Sequence, residues 1–232
     1  QLRRFDSMRR DFISNLSHEL RTPVSVIRAN SETLIDGALE DKKQAKVFAK
    51  AILHNSERLS DMVSSLLDLT RIEYGELKLN FQNINLNEFI ENFILSISNL
   101  SKKKNINIQY KSSHIGDINA DPQAIERILN NLVDNAIKYS EEDSQIVIST
   151  SNDSDDHIKV MVEDNGPGIS DEDQDYIFGR FFRTASARAT DNQGSGLGLA
   201  IVKHLVNSLN GEVGIDSVPG KGSVFWFTVP KF

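Results

Sequence analysis

Apolar residues in the first third of the chain recur at intervals of three and four. Ile13, Leu16, Leu20, Val24 and Ile27 follow one another at that spacing, which at about 100° per residue gathers them into one narrow stripe of an α-helix. The helix is predicted to run from about Arg3 to Ile35 and to end near Asp36-Gly37, glycine being the usual stop. A second helix is predicted from about Asp41 to Glu73. Its Ile52, Leu59 and Leu66 lie seven apart, and Met62 and Leu69 fill the interleaved positions of a heptad. Two long helices with a short connection make an antiparallel hairpin. A lone hairpin cannot cover both apolar stripes, so two copies are expected to pair into a four-helix bundle, making the protein a homodimer.

After "EYGELKLN" the period changes. "NINLNEF" offers a helix start, with Asn85 as cap and Glu88 three residues on. "INIQY", "QIVIST", "HIKVMVE" and "SVFWFTV" are strand-like runs rich in β-branched and aromatic residues. "ADPQAIERILNNLVDNAIKYS" reads as a helix with Asp121 as cap and Pro122 at its first position. "GLAIVKHLVNSLNG" is a further helix that stops at Gly211. Mixed strands and helices around one core predict an α/β two-layer sandwich. The fold class is thus α plus α/β, with a helical domain over residues 1–74 and the sandwich over residues 75–232.

Composition narrows the function classes. The 232 residues are 39% hydrophobic and 25% charged, as in a globular protein. No apolar run approaches the roughly 18 residues that would span a bilayer. Cysteine is absent, which removes disulfides and thiol catalysis. A net charge of -7 argues against a nucleic-acid partner, whose footprint would be basic. The basic cluster of Arg3, Arg4, Arg9 and Arg10 reads as a solvated helix face, or as a face near an anionic membrane. Because the chain opens inside an apparent helix, it is expected to be a fragment, with any sensor or membrane segment upstream.

Four stretches carry candidate chemistry. In "FISNLSHELRTPVS", His18 projects about 170° from the centre of the apolar stripe, so it points into solvent. Pro23 follows, where a helix bends. In "NNLVDNAIKYS", Asn131, Asn135 and Lys138 fall within roughly 60° of one another beside an apolar face. Two amides and an ammonium suit a metal–phosphate group, and equally a solvated helix flank. "VMVEDNGPGIS" follows a strand; Asn-Gly there signals a hairpin. The acidic, helix-like segment that comes next favours instead a loop opened by Gly166 and Gly168, with Asp164 as an acceptor for the amine of a base. "QGSGLGLAIV" sets Gly194, Gly196 and Gly198 at the start of a helix, where backbone amides can approach a phosphate. "PGKGS" is no phosphate loop and reads as a turn between two strands.

Taken in order, these stretches resemble the transmitter module of bacterial sensor histidine kinases. "SHELRTP" is similar to the H-box, "NLVDNAIKYS" to the N-box, "EDNGPGI" to the G1 box, "IFGRFFR" to the F-box and "GSGLGLAIV" to the G2 box. The wording around the H-box resembles PhoR-type kinases. The resemblance implies a dimerisation and phosphoacceptor domain over residues 1–74 and a catalytic ATP-binding domain of the Bergerat (GHKL) fold, also found in gyrase and MutL, over 75–232. It makes His18 the phosphorylated residue, Glu19 the neighbour that orients the imidazole and accepts its proton, and Thr22 part of a phosphatase motif. Asn131 and Asn135 match positions for magnesium and triphosphate, with Asn135 the leading metal ligand. Lys138 matches a phosphate contact, Tyr139 an adenine-side contact and Asp164 the acceptor for the adenine amine, in the loop with Gly166 and Gly168. Arg180 matches a γ-phosphate contact, and Gly194, Gly196, Leu197 and Gly198 the phosphate loop. Residues from about Arg183 to Gln193 would be a lid over ATP. Gly179 stands where this box often carries a charge.

The implied cofactors are ATP and magnesium, and the implied partner beyond a second copy is the receiver domain of a response regulator. The implied function is histidine autophosphorylation and transfer to an aspartate, with phosphatase activity toward the regulator. Imidazole suits the first step, being largely neutral at pH 7 with a lone pair free to attack. An exposed position suits a group that must meet both a kinase domain and a separate protein. Two other readings share the nucleotide fold: a motion-driving ATPase, disfavoured by Asn131 where such enzymes carry a glutamate, and a degenerate dimeric scaffold, disfavoured by the intact motifs.

Overall fold

The computed structural model describes residues 2–73, 75, 78–102, 104–113, 116–190 and 194–232. Tyr74 at the expected domain boundary, residues 191–193 of the expected lid and the side chains of the basic cluster lie outside what is described. Two long helices, α1 (Leu2–Ile35) and α2 (Lys42–Glu73), pack along each other around one short helical turn, Ala38–Glu40. Gly37 reverses the chain with a φ of 130°, which L side chains rarely adopt. Asp41 caps α2, its carboxylate accepting from the Lys43 and Gln44 N–H groups at 2.8 and 3.3 Å. Pro23 is buried inside α1 and removes the N–H that would have bonded to the Glu19 carbonyl. Among the described residues no helix is long and apolar enough to cross a membrane.

The hairpin leaves Val24, Val47, Leu53, Val63 and Leu67 46–64% exposed, an apolar surface that it cannot cover by itself. Met62 and Leu69 do not belong to that surface. Each is 1% exposed and lies in one buried cluster with Ile201 and Leu205 of the second domain. The heptad spacing placed them in the helical seam, but spacing fixes which residues share a face, not what covers it.

The second domain is built on a five-stranded sheet of order β2-β4-β5-β7-β6. Its strands are β2 (Asn107–Lys111), β4 (Gln145–Asn152), β5 (His157–Asp164), β6 (Val213–Val218) and β7 (Gly222–Pro230). All neighbours are antiparallel except β2 and β4, which run parallel. A two-stranded antiparallel sheet, β1 (Gln82–Ile84) with β3 (Ile118–Ala120), was not signalled by the sequence pattern. Burial alternates along the strands: Ile158, Val160 and Val162 of β5 are fully buried, while Lys159, Met161 and Glu163 face outward. Against the inner face lie α3 (Leu86–Lys102), α4 (Pro122–Tyr139) and α7 (Gly198–Ser208), giving the two-layer sandwich. Two short helices, α5 (Asp171–Gln174) and α6 (Ala185–Thr190), fill the connection from β5 to α7.

Helix α4 is seated with particular care. Asp121 accepts from the Gln123 and Ala124 N–H groups with one oxygen, at 2.8 and 3.2 Å, and from the Asn80 N–H with the other, at 2.7 Å. Ile125, Ile128, Leu129 and Leu132 are wholly buried. Arg127 on its outer side pairs with Asp68 of α2, so polar and apolar contacts together dock the domain on the hairpin.

If Met62 and Leu69 hold that docking, alanine at both positions should loosen it without changing subunit assembly. Truncating a buried Met or Leu costs about 2–5 kcal/mol each where the site does not collapse. Limited proteolysis should then cut faster near residues 74–81, while sedimentation shows the same oligomer as the parent. A drop in assembly with unchanged proteolysis would restore the seam assignment.

Candidate functional site

One end of the site is a buried carboxylate. β5, the central strand, ends at Asp164, which is 6% exposed and whose Oδ1 accepts from the Gly166 N–H at 2.8 Å. Burial raises the Asp164 carboxyl above its ordinary pKa; the N–H groups of Gly166 and Ser223 oppose that rise and Glu163 adds to it. A Cβ on Gly166 would stand 2.8 Å from Oδ1 of Asp164, so only glycine lets the loop close over this carboxylate. Gly168 has a φ of 69° and lies against the Val218 carbonyl, which keeps the loop pinned to the turn between β6 and β7.

Strand pairing sets Ser223 directly opposite Asp164. Ser217 Oγ accepts from the Ile169 N–H and donates to the Gly222 carbonyl, both at 2.9 Å. The proton in the 2.9 Å contact between the two serines therefore comes from Ser223. Ser223 is left presenting lone pairs beside Asp164. The motif reading missed this residue, since its signal is strand register rather than spacing.

The other end is built from α4 and the start of α7. Asn131 donates its amide nitrogen to the Arg127 carbonyl at 2.8 Å, which turns its oxygen toward the glycine loop. That oxygen would lie 2.7 Å from a Cβ on Gly198. Lys138 Nζ would lie 3.1 Å from a Cβ on Gly194, and the Arg183 guanidinium carbon 3.5 Å from the same point. Amide oxygen and two cations thus converge on one loop, and side chains there would fill the space a ligand needs. Gly196 holds a φ of 68° and accepts from the Phe181 N–H at 2.8 Å, joining the loop to the segment before α6. Leu197 is fully buried and anchors the loop into the core.

Between the two ends lies a cavity of about 500 Å³. Asn131, Asn135, Lys138, Tyr139, Asp164, Gly168, Gly194, Gly196 and Gly198 all line it, so the structure gathers most of the expected positions into one place. Arg180 is not among the lining residues. It is exposed and close enough to His204 for its charge, after burial, to help lower that imidazole's pKa. The arginine of this segment that does line the cavity is Arg183, which also donates to the Ala187 carbonyl at 2.8 Å. Asp134 borders the cavity as well; burial raises its pKa and Lys138 acts against the rise.

Among the described residues no group of three or more His, Cys, Asp and Glu side chains is placed to hold a metal. Any divalent cation at the asparagines would need further oxygens from a ligand or water, as magnesium takes in phosphate sites. The amide oxygen of Asn131, turned toward the loop, fits that donor set. The arrangement suits a molecule with a flat amine-bearing ring at Asp164 and a polyanion at the glycine loop.

His18 lies outside this cavity. It is exposed on α1, as its helical phase requires. Thr22, one turn on, donates its hydroxyl to the His18 carbonyl at 3.3 Å. Glu19 accepts from Arg58 of α2 at 3.4 Å, and Arg58 in turn lines the cavity. Glu57, Asp61 and His54 of α2 line the same wall. The phosphoacceptor candidate and the pocket are therefore linked through α2 without being in contact.

Two family models match the chain. Residues 8–75 match the His Kinase A (phospho-acceptor) domain, and residues 120–232 match the histidine kinase-, DNA gyrase B- and HSP90-like ATPase domain. Sensor-like histidine kinase SenX3 of Mycobacterium tuberculosis is 35% identical over 227 residues, 98% of this chain and 55% of the relative. Sensor histidine kinase WalK of Bacillus subtilis is 33% identical over 229 residues, 98% of this chain and 37% of the relative. The chain therefore spans about half or less of the length of these curated relatives. Among solved structures, histidine kinase ThkA in complex with response regulator protein TrrA superposes with a TM-score of 0.80 at 27% identity, covering 99% of this chain and 64% of that one. A phosphoacceptor hairpin followed by an ATPase-type sandwich, matched along nearly the whole chain, makes the protein a member of the sensor histidine kinase family.

Proposed function

We propose that the chain is an ATP-dependent protein-histidine autokinase module that phosphorylates His18 and passes the phosphoryl group to an aspartate on a response-regulator receiver domain. The observation that carries this is the single cavity with Asp164 and Ser223 at one end and Lys138, Arg183 and the glycine loop at the other. In this reading Asp164 accepts from the exocyclic amine of adenine, Tyr139 flanks the base, and Lys138 with the loop amides holds the phosphates. Asn135 and Asn131 are the residues that would hold magnesium. When bound, the ion supplies charge neutralisation at the phosphates.

The remaining work falls to α1 and α2. His18 attacks the γ-phosphorus through one ring nitrogen as the bond to the β–γ bridging oxygen breaks and ADP leaves, and Glu19 orients the ring through the other nitrogen and takes its proton. In the arrangement described Glu19 is held by Arg58 and His18 stands clear of the cavity. Transfer therefore requires the ATP domain to leave its seat on α2, or His18 to be offered by a second copy. The open apolar surface of the hairpin supports pairing of two copies. The solved ThkA–TrrA complex supports a receiver domain as the partner. Thr22 would serve the opposing phosphatase reaction, its oxygen accepting from a water that attacks the regulator's phosphoaspartate and releases inorganic phosphate.

Labelled ATP and magnesium should transfer label to the purified chain, in a form labile to acid and stable to alkali. His18→Ala should abolish that label while nucleotide binding persists. A labelled His18→Ala protein would assign the acceptor elsewhere.

Asp164→Asn turns one carboxylate oxygen into an amine that faces the amine of adenine. Losing a charged hydrogen bond costs about 1.5–3 kcal/mol, so ATP should bind about tenfold or more weakly. Titration calorimetry checks this, and equal affinity would remove Asp164 from base recognition.

The two arginines are separable. Arg183→Ala should cut autophosphorylation more than Arg180→Ala, by about tenfold for loss of a cation in contact with phosphate. Initial labelling rates at saturating ATP decide it. The reverse order would return the γ-phosphate role to Arg180 and require the segment to rearrange on binding.

A further inference from the structure

Lys104 lies in the turn after α3, away from the cavity lining, and its ammonium is fully committed. It donates to the carbonyls of Ile137 and Lys138 at 2.9 Å and to that of Ser140 at 3.3 Å. An ammonium has three donors, and all three are used. The acceptors are the groups the end of α4 leaves without intrahelical partners: the Ser140 N–H already closes on Ala136, and among the described residues no later backbone N–H serves Ile137 or Lys138. A cation here also opposes the negative end of the helix dipole.

The same two turns are keyed together a second time. Asn105 donates its side-chain amide to the Asp143 carboxylate, and the Asp143 N–H donates to the Lys104 carbonyl at 3.2 Å. Asn105 and Asp143 both take left-handed conformations, with φ of 54° and 59°. On the far side, the Tyr139 carbonyl lies 3.1 Å from where a Cβ on Gly166 would stand. The last turn of α4 is thus held by Lys104 on one flank and meets the Asp164 loop on the other. That turn carries Lys138 and Tyr139, with Asn135 immediately before it.

We propose that Lys104 is a positioning residue for the nucleotide, acting through the last turn of α4 rather than by contact with the ligand. This rests on the nucleotide reading of the cavity. Without the ammonium, two or three carbonyls turn to water and the last turn frays in the free protein. The competent fraction falls, and apparent affinity falls in the same proportion. Bound nucleotide restores the turn, so the rate at saturation is preserved.

The test uses Lys104→Met, Lys104→Gln and Lys104→Arg in the 232-residue chain. ATP affinity is read by displacement of a fluorescent ATP analogue, and KM and kcat by labelling. The Met variant should bind ATP about tenfold more weakly and show a matching rise in KM, with kcat within about twofold. Arg, which keeps charge and donors, should restore affinity to within about threefold, and Gln should fall between. Unchanged affinity in Met overturns the proposal. So does a fall in kcat with KM unchanged, or an Arg variant no better than Met, since either marks a merely structural lysine. Should Met fail to fold, equal affinities for Gln and Arg overturn it. Failure of the parent chain to bind ATP would overturn the nucleotide reading itself, and this role with it.

Discussion

The cavity depends on one constraint, that α4 must bury an apolar stripe completely while keeping the adjoining polar flank open. Ile125, Ile128, Leu129 and Leu132 satisfy the first half against the inner face of the sheet. Asn131, Asn135 and Lys138 satisfy the second, one step round the helix. A helix free to roll would bury those amides or lift them off the glycine loop. Rolling is prevented at each end by charge: the Asp121 carboxylate holds the first turn and the Lys104 ammonium the last. The rest of the site is arranged around this fixed edge.

Much of that edge could be read from the sequence. Proline after an aspartate marked the start of α4, and the spacing of three and four brought the amides and the lysine together before any coordinates. The glycines of the loop declared themselves by clustering at a helix start. What the sequence left open lies where local periodicity stops carrying information. Arg180 and Arg183 are three apart, but the segment between them is not helical, and Phe181 has a φ of 59°. The chain turns there, so the two arginines part company. Ser223 faces Asp164 because β7 pairs with β5 in one register, and register depends on the whole sheet. Met62 and Leu69 were recognised as buried, but their neighbour is α7, more than a hundred residues further along the chain, which no heptad names.

The relation of His18 to the pocket has a physical logic of its own. Under the proposed assignment His18 must serve two partners and so cannot be buried with either, and it stands exposed on α1. Its neighbour Glu19 is meanwhile satisfied by Arg58, which is 13% exposed at the side chain. A carboxylate so engaged is less available to the imidazole beside it. Charge on α2 therefore sits between the two halves of the chemistry, and the ATP domain is seated on that same helix through Met62, Leu69 and the Asp68–Arg127 pair.

The parallel pairing of β2 with β4 has a consequence for how the molecule assembles. Antiparallel neighbours can be joined by a tight turn, but parallel ones require the chain to return across the sheet before it can pair. Here the returning segment contains α4. The helix that lines the pocket is thus also the bridge that closes the edge of the sheet, and contacts between residues distant in sequence are the slow ones to form. Nucleotide competence should arrive late in folding, together with the closing of that edge, so that a half-folded chain lacks the pocket.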